Sequence, residues 1–480
     1  MNHEESCKLL TQIPVPTKKQ ISGYRNTDTP YYTTYPPGGA WKNDYSKAGF
    51  YSELDALKVA DNKDAAVYVH VPFCEKLCYF CFCYTKIVKD KNKPQVLQTI
   101  DAINKEIQLY DRAFGDQDKP VVRQLQWGGG TPNYLTEQQF NYLMDSLRNA
   151  FSMDLLEEFA LEVDPRTVSS EDIQKLNSFG VNRISMGIQD FNPQVQEAIN
   201  RVQPLDTILK LVETVDSATS LNFDLIYGLP HQTVLTFSET IDTCIKIGAD
   251  RLSIYCYDHT PDIHRHHALM DQSLMPSKNE KIEMFIMAAQ TLISAGYEWI
   301  GIDHFAKRED SLTMARDQGK LGRTLNGYSV FREFNTEFGI GPSAISSLSK
   351  TYTQNVKDLG AHAKAVQAGE FPIFRGWDLD NDDLLRREVI MELLLYGRYS
   401  FSKFEQRFEK DMFSYFKGLS GALERLQRDN LVEANDCAIE ATPLGRYYIH
   451  QIAKIFDKYS TASSDYVRTH AAIKLHEKNS

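Results

Sequence analysis

The stretch that decides the fold reads Ala66-Val-Tyr-Val-His-Val-Pro-Phe-Cys-Glu-Lys-Leu-Cys-Tyr-Phe-Cys-Phe-Cys83. Its first six residues, 66–71, are dominated by β-branched and aromatic side chains, which predicts a buried strand. Four cysteines follow within ten residues, at Cys74, Cys78, Cys81 and Cys83. A strand that carries thiols just beyond its carboxyl end indicates an α/β fold with a soft-metal site at that end.

Strands and helices alternate along the chain beyond this stretch. Runs typical of strands lie at 66–71, 121–127, 158–163, 182–188, 221–227, 251–256 and 297–302. Helical spacing is found between them, at 94–114, 136–152, 170–179, 205–217, 234–247 and 278–295. The repeat predicts a parallel sheet covered by helices, and hence an α/β fold with a partial (β/α)6–8 barrel.

Polar residues and glycines follow the predicted strands. They are Gly128-Gly129-Gly130-Thr131-Pro132, Glu162, Asp164, Gln189, Asp190, Asp224, Asp258, His259, Asp303 and His304. Because the carboxyl ends of parallel strands share one edge of a sheet, we expect these residues to gather in one site.

The two ends of the chain differ from its middle. Residues 1–60 are rich in Tyr, Pro, Thr and Gly and predict an irregular arm that ends in a helix at about 46–59. Beyond residue 370 we predict a winged-helix-like module, with helices Asp382–Leu395, Ser402–Phe413 and Phe416–Arg428, a β pair Leu431–Glu433 and Ala438–Glu440, and a last helix Pro443–Phe456. The predicted domains are an arm (1–60), a barrel (61–370), a helical domain (371–460) and a flexible tail (461–480).

Charge and hydropathy argue against several classes of protein. The 480 residues carry a formal net charge of −11, which disfavours a general nucleic-acid or membrane-surface binder. Charges of both signs alternate in the C-terminal module, so we expect a lid or docking domain there rather than a DNA-binding one. No apolar run is long enough to span a bilayer, and the polar N-terminus has no signal-peptide core, so a cytoplasmic location is expected.

The eight cysteines are expected to be thiols, because the cytosol is reducing. Cys7, Cys244, Cys256 and Cys437 stand alone, and a buried, inert thiol is expected for each. The clustered cysteines have the spacing C-x3-C-x2-C, and both zinc and an iron–sulfur cluster accept thiolate ligands. Zinc sites usually combine two C-x2-C pairs, and the sequence contains no second pair, which favours the cluster.

This spacing, together with Phe80 and the loop 128–132, resembles the radical S-adenosylmethionine (SAM) superfamily. Within it the chain resembles the oxygen-independent coproporphyrinogen III oxidases, through segments 68–74, 127–132, 162–166, 184–191, 224–230, 300–306 and 341–346. The likeness begins at the arm (30–36) and continues through the C-terminal module. Cys83 completes a C-x-C extension that the shorter haem-chaperone relatives lack.

The resemblance implies an activity and a set of partners. The family decarboxylates two propionates of coproporphyrinogen III oxidatively, through a 5′-deoxyadenosyl radical made from SAM, and so forms the vinyl groups of protoporphyrinogen IX. It implies a [4Fe–4S] cluster, two SAM molecules, a tetrapyrrole substrate and a flavodoxin-like electron donor. A monomer that binds no nucleic acid is expected.

Roles carry over where residues match the family. Cys74, Cys78 and Cys81 are expected to ligate the cluster, and Tyr68 and Cys83 to be catalytic. The first SAM is expected to contact Tyr68, Gly129, Glu162 and Ile345. The second is expected to contact Phe80, Gly130, Thr131, Gln189, Arg201 and Asp224.

Four positions depart from the family pattern. Phe82 replaces a glycine, one extra residue lies within Tyr84-Thr85, Asp258 replaces an alanine, and Asn326 replaces a glutamine. The alternative is therefore a radical SAM paralogue similar to these HemN-type oxidases that acts on another substrate. It would be a methyltransferase or a cyclopropane-forming enzyme. A third hypothesis is a carrier that binds a cluster or haem without catalysis.

Overall fold

The computed structural model describes residues 13–14, 16–17, 20, 31–325, 327–331 and 336–460. Asn326, the tail 461–480, Cys7 and most of the arm before residue 31 lie outside the described residues. The helices are α1 (Ala48–Lys58), α2 (Pro94–Phe114), α3 (Glu137–Ala150), α4 (Ser170–Ser178), α5 (Pro193–Ala198), α6 (Leu205–Val212), α7 (Val234–Ile247), α8 (Lys278–Ser294), α9 (Ser311–Asp317), α10 (Leu359–Gln367), α11 (Asn381–Tyr396), α12 (Phe401–Phe408), α13 (Met412–Tyr415), α14 (Leu419–Arg428), α15 (Pro443–Tyr447) and α16 (Ile449–Lys454).

The strands are β1 (Asp64–Val71), β2 (Phe73–Cys74), β3 (Lys86–Ile87), β4 (Val121–Gly129), β5 (Glu158–Val163), β6 (Arg183–Gln189), β7 (Ser220–Tyr227), β8 (Arg251–Cys256), β9 (Tyr297–Ile300), β10 (His304–Lys307), β11 (Gly322–Thr324), β12 (Gly327–Ser329), β13 (Glu337–Ile340), β14 (Ile345–Ser347), β15 (Thr351–Asn355), β16 (Ile373–Asp378), β17 (Arg398–Ser400), β18 (Val432–Ala434) and β19 (Ala438–Ala441). The chain forms two compact units.

The cysteine unit comprises Trp41–Leu225 and Glu333–Leu379. Its strands lie in the order β16-β15-β14-β13-β1-β4-β5-β6-β7, and the six from β13 to β7 run parallel. Strand β1 is buried at seven of its eight positions, as a strand covered on both faces must be. The predicted α/β class with a mostly parallel sheet is confirmed.

The C-terminal unit comprises residues 1–40, 226–332 and 380–480. Strand β10 lies between β8 and β9 and is antiparallel to both. Helices α12 to α14 lead into a three-stranded sheet of order β17-β19-β18, which contains the predicted β pair and one further strand. The arm tyrosines Tyr32 and Tyr35 are buried in the same core as α11 and α14, so these two rings contribute packing.

Several predicted elements were wrong in extent or direction. The predicted strand 297–302 ends at Ile300, because Gly301 takes a left-handed φ of 56° and the chain returns as β10, antiparallel to β9. Helix 205–217 ends at Val212. Predicted helix Ser402–Phe413 is interrupted where Glu409 has φ 54°, and Pro443–Phe456 breaks at Tyr448.

Strands β13 to β16 were missed from the sequence. They are three to six residues long, and β15 (Thr-Tyr-Thr-Gln-Asn) is buried at every position although four of its five side chains are polar. Hydropathy alternation therefore carries no signal there. The domain boundaries at residues 60 and 370 stay predictions.

Candidate functional site

A cavity of about 710 Å³, measured out to open solvent, lies in the cysteine unit beyond the carboxyl ends of β1 and β4 to β7. Twelve of the fourteen predicted site residues line it: Cys74, Cys78, Phe80, Cys81, Cys83, Gly129, Gly130, Thr131, Glu162, Gln189, Arg201 and Asp224. Tyr68 and Ile345 do not line it. The expected convergence of strand ends is therefore observed for β1 and β4 to β7.

The cysteine loop, residues 74–83, is closed at its base by the short parallel pair of β2 and β3. The amide of Lys86 donates to the carbonyl of Pro72 at 2.8 Å, and the amide of Val88 donates to the carbonyl of Cys74 at 2.9 Å. A further turn places the Cys81 amide 3.3 Å from the Cys78 carbonyl. These backbone bonds hold the thiols of one loop toward one cavity.

Cys74 is surrounded by hydroxyl groups. The Thr85 hydroxyl donates to Cys74 Sγ at 3.1 Å, and Thr131 Oγ1 lies 3.2 Å from the same sulfur. Burial raises the pKa of the Cys74 thiol to about 11, although both hydroxyls oppose that shift. A metal ligand here must lose its proton, so cluster binding is expected to release it.

Cys78 is surrounded by guanidinium groups. Arg166 Nη2 donates to Cys78 Sγ at 3.1 Å, and Arg201 Nη1 donates to it at 3.3 Å. Both arginines also contact Asp164, at 2.6 and 3.4 Å. Burial opposes ionisation of Asp164, but the two cations outweigh it and lower the pKa of this carboxyl to about 2.

Cys81 and Cys83 form a thiol pair. A hydrogen bond from Cys83 lowers the pKa of Cys81, and the same bond raises the pKa of Cys83. These shifts favour the thiolate at Cys81, the form that a metal ligand needs, and the thiol at Cys83. Three loop thiols on one cavity, with N–H and O–H donors on two of the sulfurs, match the donor set that iron–sulfur clusters use in proteins.

The glycine loop has no room for side chains. Gly129 has φ 105°, and a Cβ there would lie 2.5 Å from the His70 ring. A Cβ on Gly130 would lie 2.6 Å from the Phe73 carbonyl, and one on Gly128 would lie 2.4 Å from Glu162 Oε1. The glycines are therefore required by close packing within the chain, and Gly129 and Gly130 also present bare backbone to the cavity.

Two carboxyl groups face the cavity from β5 and β7, the strands on either side of β6. Glu162 accepts a hydrogen bond from Gln126 Nε2 at 3.3 Å, and burial together with the Asp224 charge raises its pKa to about 7. Asp224 accepts from Ser185 Oγ at 2.8 Å and from Asn222 Nδ2 at 3.0 Å. Glu162 can thus accept or release a proton near neutral pH, whereas Asp224 is held by two donors.

Tyr68 and Ile345 do not line the cavity, and both lie next to Gly339 of β13. Tyr68 lies opposite Gly339 in the β1–β13 pair, and a Cβ on Gly339 would lie 2.2 Å from the Ile345 carbonyl. The Tyr68 hydroxyl is 3.2 Å from His70 Nδ1. Burial lowers the pKa of His70 to about 4, so this imidazole is neutral.

A buried network supports the predicted motif 341–346. Glu106 accepts hydrogen bonds from the Gly341 amide at 2.8 Å and from Asn355 Nδ2 at 2.6 Å, and it lies 2.7 Å from His362 Nε2. A Cβ on Gly341 would lie 2.6 Å from the His70 carbonyl. Glu106 and His362 therefore position the Gly341 loop against the end of β1.

Four of the residues expected in the site belong to the C-terminal unit and do not line the cavity of the cysteine unit. They are Asp258, His259, Asp303 and His304. His304 Nδ1 is 2.8 Å from Asp303 Oδ1, and His304 Nε2 is 3.1 Å from Ser253 Oγ. The Tyr31 hydroxyl donates to Asp303. Asp258 is exposed, and His259 Nδ1 lies 3.1 Å from the Tyr257 hydroxyl.

The departures from the family pattern have separate consequences. Phe82 is half-buried and is not among the residues that line the cavity. The segment with the extra residue contributes Thr85 to the Cys74 sulfur, while the Tyr84 carbonyl lies 2.9 Å from His70 Nε2. Cys256 and Cys437 are exposed, which corrects the expectation that they are buried, whereas Cys244 is buried as expected.

Sequence reasoning missed several residues of the site. Arg166, Thr85 and Ser185 line the cavity although none of them was predicted as a site residue. The position of Arg166, two residues after Asp164 in a segment that matches the family, is a signal that could have been used. Thr85 carries no such signal, because its contact with Cys74 depends on how the loop closes.

Comparison with known proteins agrees with this geometry. Residues 68–244 match the radical SAM superfamily, and residues 379–448 match the HemN C-terminal domain. A parallel sheet whose strand ends carry a three-cysteine loop and a glycine loop thus defines a radical SAM enzyme, which uses a [4Fe–4S] cluster and SAM.

Whole-chain comparisons narrow the class further. The chain is 37% identical over 440 residues to the oxygen-independent coproporphyrinogen III oxidase of Synechocystis sp., across 90% of this chain and 93% of the relative. It is 35% identical to that of Escherichia coli over the same shares of the two chains. The solved structure of coproporphyrinogen III oxidase (HemN) from Escherichia coli matches with a TM-score of 0.83 and 35% identity, over 89% of this chain and 97% of that one. The chain belongs to the oxygen-independent coproporphyrinogen III oxidase family. Among the described helices, none combines the length and apolarity needed to cross a membrane.

Proposed function

We propose that this chain converts two propionates of coproporphyrinogen III to vinyl groups by oxidative decarboxylation, without oxygen, and so forms protoporphyrinogen IX. The observation that carries the proposal is the single cavity that gathers the cysteine loop, the glycine loop and Glu162. Similarity over 90% of the chain to oxidases named for this substrate supports it.

Cys74, Cys78 and Cys81 would hold the cluster. Arg166 and Arg201 would donate to the Cys78 sulfur and so offset the negative charge of the thiolates. When bound, the cluster and SAM supply one-electron chemistry that removes hydrogen from an unactivated carbon.

The chain's other residues would bind and orient SAM. Gly129 offers bare backbone, and Glu162 offers a carboxylate for an ammonium or a ribose hydroxyl. Tyr68 and Ile345 would support this first SAM from the β1–β13 side. Cys83 lines the cavity beside Cys81, and we assign it the catalytic role together with Tyr68.

A second SAM would lie among Phe80, Gly130, Thr131, Gln189, Arg201 and Asp224, all of which line the cavity. Arg201 would place its positive charge beside a methionine carboxylate. Its guanidinium already donates to Asp164 and to the Gly187 carbonyl, which holds it in place for such a contact.

A product assay on the whole protein tests the proposal. The cluster is reconstituted anaerobically, and dithionite, SAM and coproporphyrinogen III are added. We expect 5′-deoxyadenosine, carbon dioxide and protoporphyrinogen IX as products. Cleavage of SAM with the porphyrinogen left intact would favour the paralogue that acts on another substrate. Absence of cleavage by a cluster-loaded protein would favour the carrier.

The electron donor, the oligomeric state and the location are further proposals. We propose a reduced flavodoxin-like donor, a monomer and a cytoplasmic location. Replacing dithionite in the assay by reduced flavodoxin tests the first, and sedimentation of the cluster-loaded protein tests the second.

A further inference from the structure

Four histidines lie close together in the C-terminal unit, in the segment that follows β8. They are His259, His264, His266 and His267. The last three occupy a 3-10 helix, Arg265–Leu269, and the residue that caps its N-terminus. None of them has a part in the function proposed above.

The local backbone explains why three imidazoles meet. The Thr260 carbonyl accepts hydrogen bonds from the amides of Ile263 and His264, and the His264 carbonyl accepts from the His267 amide at 2.8 Å. A 3-10 helix has three residues per turn, so side chains at positions i and i+3 eclipse one another. The rings of His264 and His267 accordingly stack, with centroids 5.0 Å apart.

His266 completes the cluster from the side. Its ring centroid is 4.9 Å from that of His267 at an interplanar angle of 89°, and 5.8 Å from that of His264. One ring nitrogen from each histidine lies within 4.8 Å of the others. A tetrahedral ion with Zn–N bonds of about 2.0–2.1 Å needs nitrogens roughly 3.3 Å apart. Small rotations of the half-buried His264 and His266 side chains can close that gap.

We propose that His264, His266 and His267 form a binding site for one first-row divalent transition metal ion, with Zn²⁺ as the probe. Neutral imidazole is a preferred ligand of zinc, copper and nickel. The ion would link the N-cap residue of the 3-10 helix to its second and third residues and so stabilise the segment 257–270. This site is separate from the cysteine loop and does not depend on the proposed function.

The surroundings of His267 support coordination. His267 is fully buried, and its Nδ1 lies 3.4 Å from the Thr260 hydroxyl. That hydroxyl can accept a hydrogen bond from Nδ1–H, which leaves the lone pair on Nε2, as in other histidine ligands held by a second partner. The Thr260 amide donates to the same Nδ1 at 3.3 Å when the proton is on Nε2, so binding of the ion at Nε2 would convert the ring to the Nδ1–H tautomer.

The test uses tag-free full-length protein whose cluster has been reconstituted, so that the loop cysteines are occupied. Zinc is added, excess is removed by dialysis, and bound zinc is measured together with its X-ray absorption. We expect one zinc per chain with nitrogen or oxygen neighbours at about 2.0–2.1 Å. His264→Ala and His266→Ala should each weaken zinc binding more than about tenfold, since even indirect support of a ligand is worth 10- to 100-fold.

His231→Ala, which removes an exposed histidine elsewhere in the unit, is the matched control and should leave zinc binding unchanged. Sulfur neighbours at about 2.3 Å would place the zinc on cysteines and overturn the proposal. Zinc binding that survives the double variant His264→Ala/His266→Ala would overturn it as well. Circular dichroism of each variant shows that its fold is intact before the zinc measurement.

Discussion

The cavity of the cysteine unit and the apolar core of the C-terminal unit both bury polar atoms, but they treat them differently. In the core, the Tyr32 hydroxyl donates to Asp457 at 2.9 Å, and the Tyr35 hydroxyl accepts from the Lys458 amide at 3.1 Å. These two buried hydroxyls thus have partners within the unit, which is what a stable core requires.

In the cavity, polar groups converge on a few atoms instead. Two guanidinium groups reach the sulfur of Cys78, and two hydroxyls reach the sulfur of Cys74. Burial raises the pKa of both Cys74 and Glu162 there. Several perturbed pKa values in one cleft indicate a functional site, whereas buried hydroxyls with hydrogen-bond partners are typical of a packed core.

The largest effect is expected from Cys78→Ala. This variant should lose the cluster and reduce SAM cleavage to background, because three thiolates are needed to hold the four irons. Iron content and the electron paramagnetic resonance signal of the reduced cluster are the measurements. Cys83→Ala is the control and should keep full iron content, since Cys83 lies outside the C-x3-C-x2-C motif that supplies the three expected ligands. Full iron content in Cys78→Ala would contradict the assignment.

The second effect is a pH dependence of SAM binding. Since the pKa of Glu162 is raised to about 7, the carboxylate that accepts hydrogen bonds is lost as the pH falls through that value. SAM affinity should therefore rise between about pH 6 and pH 8. Glu162→Gln should lower the affinity at pH 8 by about 10- to 100-fold, the worth of a hydrogen bond to a charged group.

Equilibrium binding of SAM to the cluster-loaded protein measures this dependence. In Glu162→Gln the part of the dependence that Glu162 causes should be gone, which separates it from titration of SAM itself. An equal slope in both proteins would exclude Glu162 as its source.

A smaller effect is expected on the cluster potential. Arg166→Lys keeps the positive charge but loses the planar guanidinium that donates hydrogen bonds to both Asp164 and Cys78. Fewer N–H donors on the sulfur should make the potential more negative, by an amount of order 60 mV, a tenfold change for a one-electron couple. Redox titration followed by electron paramagnetic resonance measures it.

The exposed Arg398, which forms a surface ion pair with Glu440 in the C-terminal unit, is the control for that titration. Arg398→Lys should leave the potential where it is in the unsubstituted protein. An equal shift in both variants would mean that Arg166 has no specific influence on the cluster.

The smallest effect is expected in the core. Tyr32→Phe removes the hydroxyl that donates a hydrogen bond to Asp457. Burial raises the pKa of this carboxyl. The free energy of unfolding should fall by about 1 kcal/mol. Denaturant unfolding measures the loss, and SAM cleavage at saturating SAM should be unchanged. A loss of cleavage without a loss of stability would show that the arm has a role beyond packing.

The local sequence was sufficient to predict the elements that border the cavity. Strand 66–71, the cysteine spacing and the glycine loop are contiguous in the chain, so their pattern can be read directly. Twelve predicted residues line one cavity because consecutive parallel strands bring their carboxyl ends together. The same logic failed for 297–302, where Gly301 reverses the chain.

The sequence by itself determined the thiol donors, the α/β class and the family resemblance, because each depends on short-range spacing and on alternation of strand and helix. The tertiary structure alone decided which partners surround each thiol. Arg166 meets Cys78 across 88 positions of the chain, and Glu106 meets His362 across 256. Contacts of such separation depend on how strands pair and helices pack, and neither leaves a periodic signal in the sequence.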